Sequence, residues 1–143
     1  MGIDQIIPNQ TIALDSNIFI NALEKDDISG DKARQLFAKI KSQGLRVYTS
    51  VITLQEVFVG VYKERLEEKG AKYMDFVSGG GLITIVDVNG QIALLAARIR
   101  AEYKVTTPDA IQIATAIDKG AVIFVTEDKK IPNLIYQLKV ISL

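Results

Sequence analysis

Four carboxylates, Asp15, Glu56, Asp109 and Asp128, are the side chains of this 143-residue sequence whose types and placement best suit chemistry. The sequence contains neither Cys nor His. That removes disulfides, thiol or imidazole zinc sites, Cys–His and Ser–His nucleophile pairs, and any histidine base. Chemistry must then come from carboxylates, Lys, Tyr, hydroxyls, or a metal held by oxygen alone, which points to hard ions such as Mg2+ or Mn2+.

Each acid sits where a predicted element begins or ends. Thr11 to Leu14 is a short apolar run that reads as a buried strand and stops at Asp15, with a helix expected from Asn17 to Glu24. After Gly30, Ala33, Leu36, Phe37 and Ile40 mark an amphipathic helix that Gly44 ends. Leu45 to Thr49 reads as the second strand, and Thr53 opens a long helix to about Lys69, closed by Gly70, with Glu56 in its first turn. A short helix over Ala71 to Val77 precedes Gly79-Gly80-Gly81, Leu82 to Val88 is a third strand, and Gln91 to Tyr103 a helix. Pro108 and Gly120 bound a helix from Asp109 to Lys119. Ala121 to Thr126 is the fourth strand, with Asp128 just beyond it, and Leu138 to Leu143 the fifth.

Alternating strands and helices predict right-handed crossovers and an α/β fold, a three-layer α/β/α sandwich around a mostly parallel sheet of about five strands. The length predicts one domain over residues 1–143, burying ~70% of its unfolded surface. Hydrophobic residues at 48% and 17 basic against 17 acidic side chains describe an ordinary globular protein and exclude a polycation. No apolar run approaches the ~20 residues of a membrane span. The first nine residues lack a signal-peptide core, so the expected location is cytoplasmic.

In such a sheet ligands bind beyond the carboxyl ends of the strands, and all four acids fall at that edge. Each also has a structural explanation. Thr53-Leu-Gln-Glu56 has the form of a capping box, Asp109 after Pro108 suits a helix dipole, Asp15 suits an N-cap and Asp128 a turn. Together they are harder to explain so. At ~4 Å a like-charge pair costs about 4 kcal/mol at an effective dielectric of 20, and divalent cations would offset that repulsion. Such acid–metal clusters suit phosphodiester hydrolysis.

Leu14-Asp15-Ser16-Asn17, Thr49-Ser50 with Gln55-Glu56-Val57, Thr107-Pro108-Asp109-Ala110 through Ala114-Thr115-Ala116, and Thr126-Glu127-Asp128 follow one another in an order that resembles the PIN-domain family. Within it the likeness is to the VapC-type toxins of type II toxin–antitoxin pairs, over almost the whole chain. Ser16 stands where the family usually has Thr, and Ile131 where an aromatic usually follows the last Asp.

The resemblance implies a Mg2+- or Mn2+-dependent endoribonuclease leaving a 5′-phosphate. Asp15, Asp109 and Asp128 would hold metal, Glu56 would orient and help deprotonate water, and Asn17, Ser50 and Thr126 would support them by hydrogen bonds. It also implies a homodimer and a cognate antitoxin whose basic or amphipathic tail crosses the acidic cleft. RNA needs positive charge, for which Arg98, Arg100, Lys104, Lys129 and Lys130 are candidates, equally readable as solvated surface. Tyr103 or Phe19 would be candidates for base stacking. The competing reading is a PIN-like module that binds RNA or protein without cutting. A phosphoacceptor receiver domain fits poorly, because Asp26-Asp27 lie far from the first strand and no Lys follows the last one.

Overall fold

The computed structural model describes residues 2–143. Its centre is a six-stranded sheet of order β3-β2-β1-β4-β6-β5. The strands are β1 (Thr11–Leu14), β2 (Arg46–Ser50), β3 (Ile83–Val86), β4 (Ile123–Thr126), β5 (Leu134–Ile135) and β6 (Leu138–Ser142). All neighbours pair parallel except β5, which returns antiparallel on β6. The helices are α1 (Ser16–Glu24), α2 (Ile28–Gln43), α3 (Ile52–Lys63), α4 (Gly70–Val77), α5 (Gly90–Glu102) and α6 (Thr107–Asp118).

The two-residue period of a strand divides the core into two. Ile12 and Leu14 of β1, Ile123 and Val125 of β4 and Ile141 of β6 face one side, where they pack with Ile18, Phe19, Leu36, Val57 and Val77 of α1 to α4. Ala13, Phe124 and Val140 face the other, against Ile92 and Ile99 of α5 and Ala110, Ile113 and Ala114 of α6. The result is the expected α/β/α sandwich. Small residues on α6 opposite Ala13 of the central strand let that helix lie close to the sheet, and its middle, Gln112 to Ala116, is buried throughout.

The long helix expected from Thr53 to Lys69 is two helices. α3 stops at Lys63 because Arg65 takes a left-handed conformation (φ 55°). The Leu66 N–H then donates to Val61 O (2.8 Å) and the Arg65 N–H to Tyr62 O (3.2 Å), the two bonds of a Schellman C-cap. Arginine rarely holds that position, so no glycine announces the stop. The capping box is also absent. α3 begins at Ile52, and its N-cap is Val51, whose side chain makes no capping bond. Thr53 is wholly buried, its hydroxyl bonded to Thr49 Oγ1 (2.6 Å), while Glu56 bonds elsewhere. No helix among the described residues is long and apolar enough to cross a membrane.

Candidate active site

β1 lies between β2 and β4, and the chain fills the β2–β3 side first before α5 and α6 carry it to β4 on the other side. The carboxyl end of β1 is therefore the switch point of the sheet, where neighbouring connections diverge and leave a crevice. Asp15 stands at its floor. Its N–H still donates to Val125 O of β4 (2.9 Å), while its side chain caps α1 by accepting from Ser16 N (2.8 Å) and accepts from Thr126 Oγ1 (2.8 Å). Only 3% of Asp15 is exposed.

The other acids arrive from three directions. Glu56, one turn into α3, accepts from Ser16 Oγ at 2.9 Å. Asp109 lies in the first turn of α6, where its N–H meets the N-cap Thr106 Oγ1 (3.4 Å). Asp128 follows β4 in a tight turn: its N–H donates to Thr126 Oγ1 (3.0 Å) and its Oδ1 accepts from Lys130 N (2.9 Å). The capping and turn roles anticipated for Asp15 and Asp128 thus coexist with a shared location.

Electrostatics couple the group. Burial pushes the Asp15 carboxyl up to about 7, Asp109 and Glu56 push the same way, and the bonds from Thr126 and Ser16 oppose them. Burial also raises Asp109 above the ordinary carboxylate range, with the Asp128 charge adding to the rise and Thr106 opposing it. Among the described residues, no lysine or arginine forms an ion pair with any of the four acids. Negative charge gathers here without an ion-pairing cation among the described residues. Glu127, between Thr126 and Asp128, adds a buried Oε1 that has no hydrogen-bond partner.

The donor set suits a hard divalent cation: oxygen only, anionic, partly desolvated and uncompensated. The arrangement is open, for among the described residues no three acids close around one point as they stand. Such a rim leaves positions for water or a phosphate oxygen, as Mg2+ coordination favours.

The expected supporting residues fare differently. Thr126 uses its hydroxyl fully, donating to Asp15 and accepting from Asp128 N and from Asn17 Nδ2 (3.3 Å). Asn17 also reaches Asp15 Oδ2 (3.4 Å) and accepts from Glu127 N (3.1 Å). Ser50 touches no acid, and its hydroxyl instead accepts from Ile52 N (3.2 Å) at the start of α3. Lys129 and Lys130 are exposed beside Asp128. Arg100 bonds Thr107 Oγ1 (2.8 Å) at the start of α6, close in sequence to Asp109, and Lys104 is exposed on the same connection. Arg98 lies in a groove with Gly120, Val122 and Leu138, beside the amino ends of β4 and β6 and so at the far edge of the sheet. Phe19 is fully buried against Phe37 (5.3 Å) and Phe76, so its ring is not free to stack on a base, whereas Tyr103 is half-buried, packs edge-on against Tyr136 (5.6 Å) and accepts its N–H.

Sequence reasoning passed over Ser16, which joins Glu56 to the Asp15 loop, and a buried set formed by Thr49, Thr53 and Gln112. Gln112 carried a visible signal, a long polar side chain on the apolar face of a helix. Its partners, some 60 positions away, carried none.

The PIN domain pattern matches residues 12–134. Among solved structures, a toxin–antitoxin complex from Klebsiella pneumoniae is similar at 25% identity and a TM-score of 0.70, with 92% of this chain and 96% of that one covered. VapBC2 from Rickettsia felis, bound to a DNA fragment from its promoter, is similar at 25% identity and 0.67, covering 93% and 100%. DNA-bound VapBC from Salmonella typhimurium, at 23% identity and 0.71 over 93% and 98%, shares the fold. No curated relative matches the chain in sequence. The pattern spans most of the chain and includes all four carboxylates, and so the chain belongs to the PIN-domain family.

Proposed function

We propose that this chain is a divalent-metal-dependent endoribonuclease acting in the cytoplasm as the toxin of a toxin–antitoxin pair. The observation that carries the reading is the convergence of Asp15, Glu56, Asp109 and Asp128 on the switch-point crevice, mutually repelling and without a basic partner. When bound, Mg2+ or Mn2+ supplies the positive charge that lowers the pKa of a water and stabilises the departing oxygen of a phosphodiester. Asp15, Asp109 and Asp128 would hold the ion. Glu56, fixed by the Ser16 hydroxyl, orients the attacking water and takes its proton. Lys129, Lys130 and Arg100 line the approach and contact phosphates, and cleavage leaves a 5′-phosphate.

Cleavage of a labelled RNA should require Mg2+ or Mn2+, stop in excess EDTA and return when metal is restored. Undiminished cleavage in chelator, with residual metal measured, removes this mechanism.

The partner follows from the same charge. A crevice lined by uncompensated acids is complementary to Arg or Lys from an antitoxin tail, and such inhibition should weaken as salt rises. Likeness to complexes of that kind supports this choice. For the homodimer, α1 and α3 pack on each other, yet Val59, Tyr62 and Met74 stay 44% exposed or more along α3 and α4, an apolar surface for a second copy. Light scattering at micromolar protein should give twice the 15.7 kDa chain mass. A clean monomer there would count against the dimer and leave the nuclease reading standing.

A further inference from the structure

The buried face of α6 is Ala110, Ile113, Ala114 and Ala116, interrupted by Gln112, of which only 1% is exposed. An apolar side chain of similar length would fill the volume without the cost of desolvating an amide. What the amide does instead is bridge. Gln112 Oε1 accepts from Ser50 N (3.1 Å) and its Nε2 donates to Thr53 Oγ1 (2.8 Å). Thr53 in turn bonds Thr49 Oγ1 (2.6 Å), and the Thr49 hydroxyl donates to Leu14 O (2.9 Å). With Thr49 committed to the carbonyl, the donors run one way, from Gln112 through Thr53 and Thr49 to Leu14.

The place of this relay matters. Strand pairing between β1 and β2 ends at Ala13 and Tyr48, because the chain leaves β1 at Asp15 to begin α1. Beyond that pair, Leu14 O and Ser50 N are met by side chains, and the Gln112 amide stands in for the missing strand neighbour. Three of its members lie next to a carboxylate in sequence or within one helical turn of one. Leu14 precedes Asp15, Thr53 is three residues before Glu56, and Gln112 is three residues after Asp109.

We propose that Gln112 is a positioning residue of the carboxylate site, whose bridge to Ser50 and Thr53 sets α6, bearing Asp109, in register with α3, bearing Glu56, and with the Asp15 turn. The assignment rests on the nuclease reading. A slip of α6 along the sheet would carry Asp109 away from Asp15, and buried, hydrogen-bonded polar groups resist such slips better than apolar contacts do.

The experiment compares the parent with Gln112→Met, Thr53→Val, Thr53→Ser and the Gln112→Met/Thr53→Val double variant. Each is measured for melting temperature, for Mn2+ affinity by calorimetry without RNA, and for kcat and KM on an RNA oligonucleotide at saturating Mn2+. Gln112→Met and Thr53→Val should stay folded while Mn2+ binds about 10- to 100-fold more weakly. The loss on RNA should fall in kcat, with KM changed by less than about threefold. Thr53→Ser, which keeps the hydroxyl, should behave like the parent. The double variant should bind Mn2+ no more weakly than the weaker single one, as members of one relay do.

Mn2+ affinity and kcat within about twofold of the parent, alongside a lowered melting temperature, would reduce Gln112 to a packing group and overturn the proposal. Additive losses in the double variant, or unfolding of both single variants, would do the same. A parent that neither binds Mn2+ nor cuts RNA would overturn the nuclease reading itself, a result distinct from an active parent with indifferent variants.

Discussion

Asp15→Asn is expected to lower RNA cleavage by at least about 10^3-fold while leaving the metal-free protein as stable as the parent or more so. The amide keeps the shape of the carboxylate, and with its oxygen at the Oδ1 position it still accepts from Ser16 N, while its NH2 takes the Oδ2 position facing Thr126 Oγ1. It cannot supply charge to a cation. Stability moves the other way because burial, with Asp109 and Glu56 nearby, raises this carboxyl from 3.8 to about 7.

In the unfolded chain Asp15 ionises near 3.8, whereas in the fold it keeps its proton until about pH 7. Between these values the native state binds more protons than the unfolded one, so stability falls as pH rises. Below the window no penalty exists; above it the ionised carboxylate destabilises the metal-free fold by on the order of 4 kcal/mol. The melting temperature of the chelated parent should therefore drop between pH 4 and pH 8, and Asp15→Asn should flatten much of that slope. Full activity in Asp15→Asn would remove Asp15 from the chemistry, whatever its stability.

Thr126→Val carries the second large effect. Valine has the same shape but neither donates to Asp15 Oδ2 nor accepts from Asp128 N and Asn17 Nδ2. Three groups lose a partner at once, two of them leading directly to metal-holding acids. Mn2+ affinity and cleavage should fall by about 10- to 100-fold. Because the lost hydroxyl was holding the Asp15 carboxyl down, the pH at which the chelated protein loses stability should move upward. Thr126→Ser should restore most of both. If Thr126→Val matches the parent in Mn2+ affinity and in kcat, the hydroxyl is only a strand-end bond.

The acids were legible because each stands where local sequence already marks an element's end: an apolar run stopping at Asp15, Pro108 before Asp109, a β-branched strand before Asp128. Their common edge then followed from the alternation of strands and helices. Properties set by distant partners were not legible. Thr53 and Glu56 have capping-box spacing, but α3 starts at Ile52, so the Thr53 hydroxyl turns into the core and bonds residues of β2 and α6. The stop of α3 rests on a left-handed arginine, Arg65, which tertiary packing of Leu66 supports and no glycine announces. β5 is two residues long and turns back through Tyr136 at φ 50°, again without a glycine, so the sixth strand left no periodic signal.

One titration bears most directly on the central claim, that these carboxylates bind the divalent ion that makes the protein a nuclease. Mn2+ is added to chelator-treated parent and Asp15→Asn proteins at pH 8, following melting temperature and cleavage of a defined RNA in parallel. In the parent both should rise over the same concentration range, as expected when an ion binds the native state alone, and in Asp15→Asn neither should rise over that range. Cleavage that precedes any added metal, or a metal response preserved in Asp15→Asn, would contradict the account.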